Sequence, residues 1–251
     1  MWLCRLLKRR GLEGRDVDRP PAANAGWSNL QQVWRMTAPI RKAKDAWFKR
    51  RIMRLTALEK RSVNCAKHAT QTALVATELL EHISLPNRPR SLELGCGQGA
   101  LARLMVERFD ARMIATDFDP AQVRLAEERL RDLGSRVTFQ RVDARDLPFG
   151  DGEFDVVFSF GVMHHIAAEW RKVVSEVGRV LGPNGGFVFT DFYLPRSFLR
   201  VFATLFPRYD QLALDPLREV LKENGFEMAY HSQEPQMGGL LTYGKTVALK
   251  R

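Results

Sequence analysis

The sequence predicts an open α/β sheet of mostly parallel strands with helices on both faces, preceded by a basic helical extension. Three observations carry this reading. Strand-like and helix-like segments alternate from Ser91 to Asp191, the pattern of parallel strands joined by crossover helices. A glycine-rich turn, Gly95-Cys-Gly-Gln-Gly99, separates the first of these strands from its helix. The positive charge is confined to one end: residues 1–62 hold 16 Lys/Arg against 5 Asp/Glu, whereas residues 63–251 hold 23 against 24.

At 251 residues the chain can form one domain with a substantial core, or one domain and an extension. Residues 1–26 mix a short basic start with Gly, Pro, Asp and Ala, which predicts a mobile basic arm. Leu30, Val33 and Trp34 then share a helical face before Pro39, and Trp47, Phe48, Ile52 and Leu55 recur after it. Ala66, Ala73, Leu74, Ala76, Leu79 and Leu80 predict a further helix over 64–83, stopped by Pro86-Asn-Arg-Pro89. A helical N-terminal cap is therefore expected at 27–84.

The main domain is expected at 85–251. Strands are predicted at Ser91–Leu94, Met113–Thr116, Arg136–Val142, Phe154–Phe160 and Gly186–Asp191. Helices are predicted from Ala100, over Pro120–Leu133 and over Trp170–Leu181. The end of the chain differs, because helix Asp215–Asn224 leads to strands at Phe226–His231 and Leu240–Leu249 with only a loop between them. Two such strands pair antiparallel if they are neighbours.

No apolar run approaches the roughly 20 residues that cross a bilayer, and Trp2-Leu-Cys-Arg-Leu-Leu is too short for a signal-peptide core. A cytoplasmic location is the expectation. Cys4, Cys65 and Cys96 are odd in number and far apart, which argues against both a disulfide framework and a zinc site. Cys96 fits the turn through its small size.

A glycine turn between a buried strand and a helix lets backbone N–H groups approach a ligand at the positive end of the helix. Gly95, Gly97 and Gly99 provide it, but Gly95-Cys-Gly97-Gln-Gly-Ala100 also satisfies the dinucleotide pattern, with Asp117 suitably placed beyond it. On the turn alone an NAD-binding domain remains open.

Glu93, two residues before the first glycine, completes an acidic-x-Gly-x-Gly-x-Gly segment that resembles the class I, Rossmann-like methyltransferases dependent on S-adenosylmethionine (SAM). The resemblance covers about residues 63–250. It implies a seven-stranded sheet of order 3-2-1-4-5-7-6 with the last strand antiparallel, SAM as cofactor and no metal. It also implies that Gly95, Cys96, Gly97 and Gly99 hold the methionine and ribose portions, Asp117 the ribose hydroxyls, and Asp143 with Ala144 the adenine. Phe118 offers a ring to pack on the adenine, and Phe160 borders the same site. The chemistry is consistent: carboxylates accept from vicinal hydroxyls or an exocyclic amine, whereas they repel phosphate, which SAM lacks.

Asp146-Leu-Pro-Phe-Gly through Val-Met-His-His-Ile166, and Leu181-Gly-Pro-Asn-Gly through Thr-Asp191, look like the small-molecule and quinone-biosynthesis branch of that family. The nucleobase-directed branches carry an Asn/Asp-Pro-Pro-aromatic motif where this chain has Ser159-Phe-Gly-Val. An acceptor pocket is expected beyond the strand ends, at Phe160–Ile166 and Asp191–Arg208. His164 or His165 is either a general base or a structural residue at a helix start. Asp191 and Tyr193 either orient the acceptor or serve the strand end, and the apolar stretch from Phe192 to Phe206 is a lid or core. The expected reaction is methylation of O or C on a small, apolar molecule. An RNA methyltransferase and a non-catalytic SAM-binding module are the alternatives. The basic N-terminal helices, with Trp27, Trp34 and Trp47, are read either as a solvated face or as a surface for a partner, and as a partner surface they suit a peripheral membrane contact better than nucleic acid.

Overall fold

The computed structural model describes residues 64–166, 169–193, 214–236 and 241–251. The expected mobile arm, the cap up to residue 63 and the apolar stretch beyond Tyr193 lie outside the described residues. No helix among those described is long and apolar enough to cross a membrane.

Helix α1 spans Ala66–Leu80, followed by β1 (Arg90–Leu94), α2 (Ala100–Phe109), β2 (Arg112–Asp117), α3 (Pro120–Arg129) and β3 (Val137–Arg141). Then come β4 (Phe154–Phe160), α4 (Trp170–Val180), β5 (Leu181–Tyr193), α5 (Leu214–Glu223), β6 (Phe226–Gln236) and β7 (Leu241–Lys250). The seven strands form one sheet of order β3-β2-β1-β4-β5-β7-β6. β1 pairs parallel with β2 and β4, while β7 runs antiparallel to both β5 and β6. The fold class is the expected one, with the last strand alone reversed.

Central position explains the strands' composition. β1 is flanked on both edges, and its residues after Arg90 are all buried. Leu92 and Leu94 join the core on the α4 face with Val157 and Phe189, whereas the opposite face of the sheet packs Val156, Phe158 and Val188 against α1 and α2. Ser91 and Glu93 therefore face the α1 and α2 side, which places a carboxyl group inside an apolar layer.

Some boundaries differ from expectation. α3 ends at Arg129 rather than Leu133, because a 3₁₀ segment at Arg131–Arg136 follows, with Gly134 at φ 58°. β5 begins at Leu181, directly after α4, and Leu181 pairs with Phe154. Its Gly-Pro-Asn-Gly stretch is thus carried within a strand.

α1 packs as part of this domain. Ala76, Leu79 and Leu80 are buried with Leu101, Ala102 and Met105 of α2. Glu78 accepts from Lys245 Nζ at 2.9 Å and from the Tyr230 hydroxyl at 3.3 Å, which ties the same helix to β6 and β7.

Candidate functional site

The turn after β1 requires its glycines. Gly95, Gly97 and Gly99 have φ of 75°, 51° and 83°, in the left-handed region that L side chains rarely adopt. A Cβ on Gly95 would lie 2.5 Å from Val162 Cγ2, and one on Gly99 would lie 2.5 Å from Leu130 Cδ1. The Cys96 N–H donates to the Thr116 carbonyl at 2.8 Å, locking the turn to the end of β2.

Two acids stand around this turn. Asp117 accepts from the Gly97 N–H at 3.2 Å and from the Asp119 N–H at 2.8 Å, so one carboxylate links the turn to the start of α3. Glu93 is 4% exposed, and its Oε2 is buried without a hydrogen-bond partner. Burial, then the nearby Asp117 charge, push the Glu93 carboxyl well above its ordinary range, against a bond from the Ala102 backbone. Burial, then the same two acids, push the Cys96 thiol up, so that it is a small filler of the turn and no nucleophile.

Together these residues border a cleft of about 1040 Å³ of empty space, part of it open to solvent. Of the sequence-predicted residues, Glu93, Gly95, Cys96, Gly97, Asp117 and Phe118 line one side. Ala144, Phe160 and His165 line the other. The Arg141 guanidinium lies over the Phe118 ring, 5.4 Å from its centroid. Neither Lys nor Arg lines the cleft among the described residues.

Three predicted residues stand apart from the lining. Gly99 packs beneath the turn against Leu130. Asp143 is paired with Arg145, whose Nε lies 2.9 Å from Oδ1 and whose Nη2 lies 2.6 Å from Oδ2. Burial would raise the Asp143 pKa, but the bonds from the Arg145 side chain and backbone hold it below the usual carboxylate value. Arg145 also pairs with Glu169, ahead of α4. His164 is held by Asp191, Nδ1 to Oδ1 at 2.6 Å. Asp191 in turn accepts from the backbone N–H of Met163 and of Phe192, each at 2.8 Å. The Asp191 carboxylate therefore fixes the turn after β4 to the end of β5 and holds the His164 ring.

Sequence reasoning missed the wall built by α1, where His68 and Thr72 line the cleft. Two amide contacts pin its start over the glycine turn. Asn64 and Gln122 exchange hydrogen bonds at 3.0 and 3.2 Å, and Gln98 Nε2 donates to the Cys65 carbonyl at 3.0 Å. The available signal was His68 and Thr72 at i and i+4, one helical face. Their docking over a turn some 30 residues away is not written in that spacing.

Residues 92–185 match the family described as a methyltransferase domain, and that span contains the strands, turns and helices that build most of the cleft. Residues 92–185 thus form a methyltransferase domain. The methyltransferase domain is similar to 27-O-demethylrifamycin SV methyltransferase of Amycolatopsis mediterranei, at 36% identity over 110 residues, 43% of this chain and 40% of that protein. It is also similar to demethylmenaquinone methyltransferase of Thermus thermophilus, at 37% identity over 108 residues, 42% of this chain and 48% of the relative. The chain thus spans less than half the length of these two relatives. Among solved structures, the fold matches geranyl diphosphate C-methyltransferase from Streptomyces coelicolor A3(2) with a TM-score of 0.61 at 15% identity, covering 78% of this chain and 85% of that one. The cyclase SpnF matches with a TM-score of 0.61 at 20% identity, covering 73% and 80%. A fold shared by a methyltransferase and a cyclase does not select the reaction, which has to be argued from the site.

Proposed function

We propose that this chain is a SAM-dependent methyltransferase acting on O or C of a small, apolar molecule. The observation that carries the reading is the acidic lining of the cleft: Asp117 and the buried carboxyl of Glu93 line it, and no Lys or Arg does so among the described residues. Such a site repels a pyrophosphate and favours a ligand with cationic groups. SAM has a sulfonium, an ammonium and no phosphate. The unpartnered Oε2 of Glu93 supplies an acceptor for an N–H donor, Asp117 is set to accept from ribose hydroxyls, and Phe118 provides a ring for the adenine.

When bound, SAM supplies a methyl group on a positively charged sulfur, open to in-line displacement by the acceptor. The chain's residues then have to align the acceptor and remove its proton. Phe160, Val162 and Ile166 give the cleft an apolar side next to the turn, which suits an apolar acceptor. The relatives named for rifamycin and menaquinone chemistry support the same class. The Asp191 carboxylate accepts from His164 Nδ1 and so sets the basic lone pair on Nε2, the arrangement of an oriented general base for an O–H or acidic C–H.

Calorimetric titration with S-adenosylhomocysteine (SAH) and with NAD tests the cofactor. SAH binding without NAD binding is expected, and the reverse overturns the reading. Incubation with methyl-labelled SAM and a panel of lipophilic phenols and hydroquinones, with RNA as a comparison, tests the acceptor class. Label in RNA alone would replace the small-molecule reading. The net charge of +11 in residues 1–62 extends the proposal to a peripheral membrane contact, since Trp with Lys/Arg suits a lipid interface. Equal flotation with anionic liposomes for the full chain and for residues 62–251 would remove that part.

A further inference from the structure

A file of rings continues from the cleft along the end of the sheet. His165 lines the cleft, and its ring lies 4.0 Å from that of His164. His164 meets Phe192 edge-on at 5.5 Å, and Phe192 meets Tyr243 at 5.2 Å. The last two are register partners across β5 and β7. Alternation along β5 sets Phe192 on the same side as Val188, the α1 face against which Phe160 of the cleft also packs. Its neighbour Tyr193 turns the other way and is buried in the core on the α4 face.

Phe192 is 37% exposed, and Leu74 is the other large apolar side chain left exposed among the described residues. A lone exposed phenylalanine is ordinary; one standing in a file of rings that leads out of a ligand cleft is a surface for a ligand. The charge on this face is already matched. Lys245, two residues along β7 from Tyr243, is held by Glu78 at 2.9 Å and by Glu234 at 2.7 Å. Burial first of all raises the pKa of the Tyr243 hydroxyl, so its ring is a neutral phenol. The face thus offers rings rather than charge.

We propose that Phe192 and Tyr243 form the platform on which the methyl acceptor lies, and that the acceptor presents a planar aromatic ring to it, with its reacting atom towards His165 and the cleft. The proposal rests on the methyltransferase reading and narrows the apolar acceptor to one with a phenol- or hydroquinone-type ring. An aromatic ligand gains from ring edges and faces what an alicyclic ligand of the same size does not. Both platform side chains have only two torsions to lose, and their cross-strand contact restricts these before the ligand arrives.

The test compares naphthol with its fully saturated counterpart decalol, which keeps the hydroxyl and lacks the aromatic rings. Binding of each to the full chain saturated with SAH is followed by ligand-observed NMR titration, beside calorimetric titration of SAH itself. The wild type is expected to bind naphthol at least about fivefold more tightly than decalol. Phe192→Leu/Tyr243→Leu keeps apolar bulk and removes both rings. It is expected to lose about 5- to 30-fold in naphthol affinity, the scale of two ring pairs, and less than about twofold for decalol and for SAH. Tyr243→Phe should keep naphthol affinity, because the ring and not the hydroxyl is used. Where the melting temperature shows that the double variant is unfolded, Phe192→Leu alone carries the comparison, with an expected loss of about 2- to 10-fold. A wild type that binds SAH without preferring naphthol, or a folded ringless variant that keeps the preference, overturns the inference and leaves the methyltransferase reading intact. A wild type that binds no SAH overturns both.

Discussion

His164 Nδ1 lies 2.6 Å from Oδ1 of Asp191, a carboxylate with no solvent exposure at the end of β5. That contact gives Asp191 two separable jobs. It orients an imidazole next to the cleft, and it satisfies the backbone N–H groups of Met163 and Phe192. Asp191→Ala is expected to destabilise the protein by about 1–3 kcal/mol per orphaned donor, read as a lowered melting temperature. Asp191→Asn keeps an oxygen for the backbone and should melt closer to wild type. Its turnover should still fall, because an amide no longer fixes the His164 tautomer. Full activity in the Asn variant would show that the contact is structural only.

The adjacent histidines should separate in their effects. His165 lines the cleft, whereas His164 is engaged with Asp191, with the two rings 4.0 Å apart. His164→Ala is predicted to lower kcat by about 100-fold or more, the range of general acid–base catalysis, while SAH affinity stays within about twofold. His165→Ala is predicted to weaken SAH binding. Calorimetry and initial rates on the same variants check both. An unchanged kcat in His164→Ala would remove it as the base.

The two acids expected at strand ends should also part company. Asp117 bonds the Gly97 N–H and lines the cleft, so Asp117→Ala is predicted to lower SAH affinity by at least about tenfold, through both the lost ligand contact and a loosened turn. Asp143 is neutralised by Arg145, and Asp143→Asn is predicted to change SAH affinity by less than about threefold. Equal losses in the two variants would return Asp143 to the adenine site.

These contrasts mark where the sequence was readable. Strand Phe154–Phe160 was predicted to the residue, because an apolar run bounded by Gly152 and Gly161 belongs to a doubly covered central strand. The turn was readable because a left-handed backbone dictates glycine at short spacing. What depends on docking was not readable. Asn64 meets Gln122 across 58 positions and Gln98 meets Cys65 across 33, and such long-range contacts set His68 at the cleft. Asp143 showed as an acid, but the fold-back of the Arg145 side chain onto it is a rotamer choice stabilised by Glu169, beyond β4 and just ahead of α4.

Glu93 predicts a pH dependence of stability with a definite sign. Its carboxyl has a folded-state pKa raised well above the ordinary 4.5, by burial first and by Asp117 second. Below about pH 4.5 the folded and unfolded chains both hold the proton, and the group costs no stability. As pH rises from there, the unfolded chain releases its proton first, so stability falls until the folded-state pKa is passed and is constant beyond it. Glu93→Gln removes this loss while keeping an oxygen for the Ala102 backbone N–H. The ligand-free variant should therefore be more stable than wild type at pH 7.5, read as a higher Tm, with the gap closing towards pH 4.5. Saturating SAH should reverse the order, because the ammonium stabilises the buried carboxylate and gains nothing from an amide. Thermal melts of both proteins across this pH range, with and without SAH, check the prediction. A variant gap that does not change with pH would mean that Glu93 remains ionised in the folded protein.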